Sequence, residues 1–164
     1  MWWIVVAMPA AVLAVLGVLL WLGARERRRT RAELAVLSGL PDAEAEAKAV
    51  SLLSRPDLFQ TRRATRPFAN PDLPGHVVAL FNRYEHVRCG EFWIGRAALA
   101  EPARLPGFLK IGEDLEFTEI LVRPGDPRIY ISYGEGPPSS ATLETEPTIW
   151  HEILIASGAA PERV

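Results

Sequence analysis

The first 24 residues of the chain contain no charged side chain, and this stretch constrains the fold more than any other feature of the sequence. From Trp2 to Leu22 the stretch is almost wholly apolar. At a rise of about 1.5 Å per residue, a helix of this length spans the roughly 30 Å hydrocarbon core of a bilayer. Trp2, Trp3 and Trp21 lie near its ends, where interfacial tryptophans are found. We therefore expect a transmembrane anchor over residues 1–24.

Two alternatives to an anchor fit the residues less well. A cleaved signal peptide has a positively charged start and a small-x-small cleavage site. This sequence has no Lys or Arg before Arg25, and Leu22-Gly23-Ala24 places a large residue at the site. A soluble helix would keep a polar face, whereas the apolar character here covers every face.

Positive charge next to a span predicts its orientation. Basic flanks stay on the cytoplasmic side, and near the surface each such charge contributes about 1 kcal/mol to binding anionic lipid. We expect a single-pass protein of the bacterial inner membrane, with its amino terminus outside and residues 25–164 in the cytoplasm. The membrane interface would then be held by the three tryptophans and by five arginines: Arg25, Arg27, Arg28, Arg29 and Arg31.

The charge divides the rest of the chain into two parts. Residues 25–66 carry ten basic and six acidic side chains, whereas residues 67–164 carry eight and fourteen. The first part is interpreted as a juxtamembrane region, with a helix from Asp42 to Ser54 and then a proline-rich linker or extended wrap from Thr61 to Gly75. The predicted helix face comprises Ala43, Ala47, Val50 and Leu53. The acidic second part lacks the basic stripe of a nucleic-acid-binding protein.

Residues 67–164 show the pattern of a small α+β domain. One-sided apolar spacing predicts a first helix over residues 76–87 and a closing helix over residues 148–157. The turn at Pro124–Pro127 predicts a hairpin. Alternating or β-branched runs predict four strands, over residues 91–95, 108–111, 115–123 and 128–133. The predicted fold class is thus α+β, with an N-terminal single transmembrane helix ahead of a mostly antiparallel sheet flanked by helices.

Three runs within residues 73–157 resemble the SUKH superfamily. They are "LPGHVVALFNRYEHVRCGEFWIG", "GFLKIGEDLEFTEILVRPGDPRIYIS" and "TLETEPTIWHEILIAS", which are similar to that group's opening helix and strand, its Ile-Gly element with hairpin, and its closing helix. The superfamily includes bacterial toxin-immunity proteins and the yeast cell-wall synthesis regulator. The resemblance implies a module that neutralises a cognate toxin by binding it.

Four carboxylates form the densest cluster of chemically active groups in this part of the chain: Glu113, Asp114, Glu116 and Glu119. Three interpretations stay open. Carboxylates at a strand can simply be solvated and protect the edge of a sheet. They can form a docking surface for a basic partner, which makes them the candidate partner-binding residues. They can also bind a cation or act as an acid–base pair.

The other reactive residues show no motif. His76, His86 and His151 lack the spacing of a metal-binding pair and are interpreted as surface or cap residues. Cys89 is the single cysteine, so the chain cannot form an internal disulfide. A thiol–imidazole pair of Cys89 with His86 is the alternative to a buried thiol. No catalytic residue, metal site or cofactor is predicted.

These observations predict a membrane-anchored, non-enzymatic protein-binding module. The expected partners are the lipid bilayer and a protein, either a toxin or an envelope protein. Nucleic acid and small-molecule substrates are not expected. The alternatives are a small bitopic scaffold of an envelope complex and an enzyme.

Overall fold

The computed structural model describes residues 39–114, 118–133 and 141–158. Within them lie three α-helices, seven strands and one 3₁₀ helix. In chain order these are α1 (Asp42–Leu53), β1 (Gln60–Arg63), α2 (Gly75–Arg83), β2 (Tyr84–Cys89), β3 (Phe92–Gly95), the 3₁₀ helix (Arg96–Ala100), β4 (Leu109–Glu113), β5 (Glu119–Val122), β6 (Ile129–Tyr133), β7 (Thr142–Glu146) and α3 (Ile149–Ala156).

The seven strands form one antiparallel sheet in which spatial order follows chain order. Each strand therefore pairs with its sequence neighbours, and β1 and β7 are the two edges. The register shifts between Arg62 and Arg63 on β1 and between Lys110 and Gly112 on β4.

The predicted fold class, which included a transmembrane helix, is corrected by these elements. Across residues 39–114, 118–133 and 141–158, no helix is both long enough and apolar enough to cross a membrane. What the structure contains is a seven-stranded antiparallel sheet with three α-helices. The predicted span over residues 1–24 and its flanking arginines lie outside the described residues.

The main core lies between the sheet and the three helices. The strands contribute apolar side chains such as Ile94, Ile120 and Ile131, and the helices cover them with Leu80 and Trp150, among others. A smaller cluster of Leu105, Leu121 and Tyr130 occupies the other face, because alternate residues of a strand point to opposite sides. That outer face is thus covered in part by the segment between the 3₁₀ helix and β4.

Helix α1 and strand β1 belong to this same core and sheet, so the packing crosses the predicted boundary at residue 67. The helix was correctly predicted, but its predicted face is wrong for Ala43 and Ala47, which are exposed. Its buried residues are Ala45, Ala49 and Leu53. Alanines occur all around this helix, so its sequence contains no distinct apolar stripe from which the buried face could be chosen.

The predicted helix over residues 76–87 is too long. Helix α2 ends at Arg83, and Tyr84 is already extended, with φ −134° and ψ 137°. Tyr84 to Cys89 then pairs with strands on both sides, and this pairing outweighs the helical spacing of the apolar residues. The Asn82 side chain at the helix end bonds both the N–H and the C=O of Phe68, which fixes the proline-rich segment across α2.

Several other predictions are confirmed. Strands β3, β4, β5 and β6 lie within or beside their predicted ranges, and β5 and β6 form the predicted hairpin. Its turn contains Gly125 at φ +81°, a conformation that favours glycine. Helix α3 buries Ile149, Trp150, Ile153 and Leu154 as predicted, and Gly158 follows it at φ +62°. Strands β1 and β7 were not predicted.

We expect Ile153→Asp to unfold the domain. Ile153 is fully buried in the main core, and an unpaired carboxylate there costs several kcal/mol. Urea denaturation of the full chain followed by circular dichroism measures the change. Ala47→Asp on the exposed face of α1 is the control, with a loss below about 1 kcal/mol. Equal stability of the two variants would contradict the placement of α3.

We expect Gly112→Ala to destabilise the sheet by about 1–3 kcal/mol. A methyl group at Gly112 would overlap the backbone oxygen of Trp93 and approach Ile94 Cα to 2.9 Å. Gly75→Ala is the matched control, because a methyl group there has no neighbour within 4 Å and lies in the first turn of α2. The control should be neutral or stabilising by about 0.4–1 kcal/mol. Thermal melting measures both, and an unchanged melting temperature for Gly112→Ala would refute the close β3–β4 packing.

Candidate functional site

Two of the predicted partner-binding carboxylates lie opposite each other on the outer face of the sheet, where Glu113 of β4 pairs with Glu119 of β5. Glu113 accepts hydrogen bonds from Lys110 Nζ and, at 3.2 Å, from Trp93 Nε1. The hydrogen bond from Lys110 is the main cause that lowers the pKa of Glu113. Lys110 itself is buried and also binds Glu101 at 2.6 Å. The charge of Glu113 is therefore engaged within the domain.

The other predicted residues lie in different environments. Glu119 is 9% exposed, and its Oε2 accepts the Arg104 backbone N–H at 3.0 Å, which fastens the 101–108 segment to the sheet. Asp114 is half-buried, and burial together with nearby Glu91 raises its pKa. Glu116 and the predicted membrane-interface residues lie outside the described residues. The structure thus gives the described members of the predicted cluster different surroundings, and the role of the cluster in docking stays a prediction.

A second acidic region lies along β7 and the end of β6, and we call it the β7 edge surface: Tyr133, Leu143, Glu144 and Glu146. Tyr133 and Leu143 are the exposed large hydrophobic residues of the described chain, at 37% and 43% exposure. The Tyr133 hydroxyl donates to Glu144 Oε2 at 3.4 Å. Burial raises the pKa of Tyr133, and the charges of Glu144, Glu152 and Asp114 raise it further. These carboxylates therefore surround one phenol.

Beneath this surface, the first turn of α3 carries a buried carboxyl group. Glu152 is only 3% exposed. Burial is the main cause that raises its pKa to about 8, and the charges of Glu146, Asp114 and Glu144 raise it further. Near neutral pH the Glu152 carboxyl is therefore largely uncharged, since burial and neighbouring negative charge both disfavour the ionised form.

The β7 edge surface was missed because β7 was not predicted. The run Thr142–Glu146 was grouped with the closing helix, although it contains two β-branched threonines and is followed directly by Pro147. The threonines and the proline were the available signals for a separate edge strand.

Two histidines connect α3 to the rest of the domain. His151 is fully buried, so interpreting it as a surface residue was wrong. Its Nε2 donates to the Leu40 carbonyl at 2.9 Å, and its Nδ1 bonds Thr148 Oγ1 at 2.8 Å. His76 Nδ1 accepts the Ile149 N–H at 3.3 Å, which leaves its Nε2 to donate to Pro127 O at 2.5 Å. Burial lowers the pKa of His76. Both imidazoles have structural roles.

Cys89 and His86 do not form a thiol–imidazole pair. They are three residues apart on β2, so their side chains point to opposite faces of the sheet. The Cys89 thiol lies 3.8 Å from the Ala156 carbonyl at the end of α3. Nor does the described part of the chain hold a group of three or more His, Cys, Asp or Glu side chains that could bind a metal ion.

A groove of about 480 Å³ lies between the end of α1 and the first two strands. Its lining combines apolar side chains with a few donors and includes Leu53, Pro56, Phe59, Arg63, Tyr84 and His86. None of its lining residues is Asp or Glu, so the groove offers no carboxylate pair for acid–base chemistry.

No family model, curated protein or solved structure matches this chain. The resemblance of residues 73–157 to the SUKH superfamily therefore stays a prediction.

We expect the contribution of Glu152 to folding stability to fall as pH rises. Its pKa is about 8 in the folded domain and near 4.5 in an unfolded chain. The unfolded state therefore releases this proton first, and folding loses up to about 1.4 kcal/mol per pH unit between those values. Glu152→Gln should remove most of this dependence in urea denaturation from pH 5 to 8. Glu44→Gln on exposed α1 should retain it, and identical slopes for the two variants would contradict the buried, uncharged carboxyl.

Proposed function

We propose that this chain is a non-enzymatic protein-binding module whose β7 edge surface holds a basic partner protein. The proposal is supported by the edge of the sheet, where Glu144 and Tyr133 are exposed on the helix side and Leu143 is exposed on the opposite face. Together they combine an apolar contact area with negative charge, which suits a partner of opposite charge.

The proposed biological role is that of an immunity protein which neutralises a cognate toxin by binding it. This role comes from the resemblance to the SUKH superfamily and from the acidic charge of residues 67–164. A basic toxin such as a nuclease fits this charge, because opposite charges speed the encounter and disfavour other partners.

The acidic residues differ in how they can contribute. Glu144 is exposed and lies on the edge strand, so a partner can reach it directly. Glu113 and Glu119 already accept internal hydrogen bonds, and they act on a partner through the field of the domain. Direct contacts are therefore assigned to the β7 edge surface.

The absence of enzymatic activity stays a prediction. The location at the bacterial inner membrane, with the domain in the cytoplasm, stays a prediction from the charge pattern of residues 1–31. The alternative, a scaffold protein of an envelope complex, depends on these same residues. Residues 1–38 lie outside those that the structure describes.

We expect Glu144→Lys in the full chain to slow association with the captured partner by about tenfold at low salt. The partner is isolated by affinity capture from cells that carry both proteins, and association is measured by surface plasmon resonance. The effect should shrink with added salt, since charges are screened beyond about 8 Å at 0.15 M. Folding stability should change little, because an exposed charge contributes little to it.

Asp72→Lys is the matched control, since Asp72 is exposed on the segment before α2 and the charge change is the same. It should associate like the unmodified chain. If Glu144→Lys also associates normally, the β7 edge surface is not the binding site.

A further inference from the structure

Strand β7 is at the edge of the sheet, with one side of its backbone paired to β6. It pairs with β6 alone, and in the part of the chain that the structure describes no strand lies beyond it. Alternate residues of an antiparallel edge strand direct their N–H and C=O groups away from the sheet. Such an edge is a template for an added strand.

The side chains of β7 alternate between two different faces. Glu144 and Glu146 pair with Ile131 and Ile129, whose side chains lie in the main core, so both glutamates project on the helix side. Leu143 and Thr145 project on the opposite face, where Leu143 pairs with Ser132. One side of the edge is therefore acidic, and the other combines an apolar with a neutral residue.

We propose that the partner binds by adding an extended segment to β7 as an eighth strand, and that this segment has basic residues at alternate positions with apolar residues between them. The proposal rests on the proposed function and specifies how the β7 edge surface recognises its partner. A basic side chain on the added strand lies beside Glu144 on the helix side. The apolar side chains between the basic ones lie beside Leu143.

The charges of β7 favour such a partner over a second copy of the chain. Two β7 strands side by side would bring glutamates together, and like charges on adjacent strands are destabilising. The other edge, β1, is basic through Arg62 and Arg63. Arg62 already binds Glu85 of the same domain at 2.8 Å, so part of this positive charge is neutralised within the domain.

The test uses a fluorescent peptide of about eight alternating Lys and Val residues, long enough to cover the five residues of β7. A second peptide has the same composition with its Lys and Val residues in separate blocks. Fluorescence anisotropy with the full chain measures both affinities, and amide hydrogen exchange locates the protected residues.

We expect the alternating peptide to bind at least about tenfold tighter than the block peptide and to slow exchange at β7 amides. Glu144→Lys should weaken its binding about three- to tenfold, as reversal of one cross-strand charge pair predicts. Asp72→Lys should leave the affinity unchanged.

Three results would overturn the proposal. Equal affinity for the two peptides would show attraction by net charge alone. Protection confined to residues other than β7 would place the peptide elsewhere. If the unmodified chain self-associates at higher concentration and Glu144→Lys abolishes this self-association, the occupant of β7 is a second copy of the chain.

The proposed function and the proposal of an added strand can fail independently of each other. If Glu144→Lys slows association with the captured protein but neither peptide binds, the binding surface stands and the added strand is refuted. If the alternating peptide protects β7 but the captured protein binds Glu144→Lys normally, the edge accepts strands and the proposed docking of that protein is wrong.

Discussion

The burial of α3 against the sheet is the contact on which the rest of the domain depends. The helix supplies Ile149, Trp150, Ile153 and Leu154 to the main core, and its polar residues are used as well. His151 holds the carbonyl of Leu40 ahead of α1, and the Ile149 N–H is held by His76 of α2. One short helix thus contacts both other helices and the sheet, so loss of its packing would remove the part of the core that these elements share.

Helix α3 also contributes a titratable group, Glu152, next to the acidic β7 edge. Glu152 points from α3 into a region that already contains Glu144, Glu146 and Asp114, and all three disfavour its ionised form. Holding Glu152 uncharged lets the surface above it remain acidic without a further buried negative charge. A basic partner that neutralises Glu144 would lower this repulsion and make ionisation of Glu152 easier, so binding and the pKa of Glu152 are linked.

The parts of the fold that could be predicted from the sequence are those where local pattern and tertiary packing agree. The apolar face of α3, the β5–β6 hairpin and β3 were found from apolar spacing and from the turn that contains Gly125. The end of α2 and strand β1 were missed because pairing with neighbours, rather than side-chain pattern, makes residues 60–63 and 84–89 extended. Strand β7 was missed because residues 142–146 were grouped with the helix that follows them. The hydrogen-bond partners of the predicted carboxylates could not be predicted either. Spacing along the chain cannot show that Lys110 binds Glu113 or that the Arg104 N–H binds Glu119.

The acidic edge also resolves a conflict between solubility and recognition. A free strand edge tends to pair with whatever extended chain it meets, and soluble domains commonly protect such edges with charge. Glutamates on β7 exclude a second β7 and any acidic strand, but they attract a basic one. In the proposed complex, the same glutamates that disfavour self-pairing would also select a basic strand. Leu143, exposed on the opposite face, would add an apolar contact to that strand.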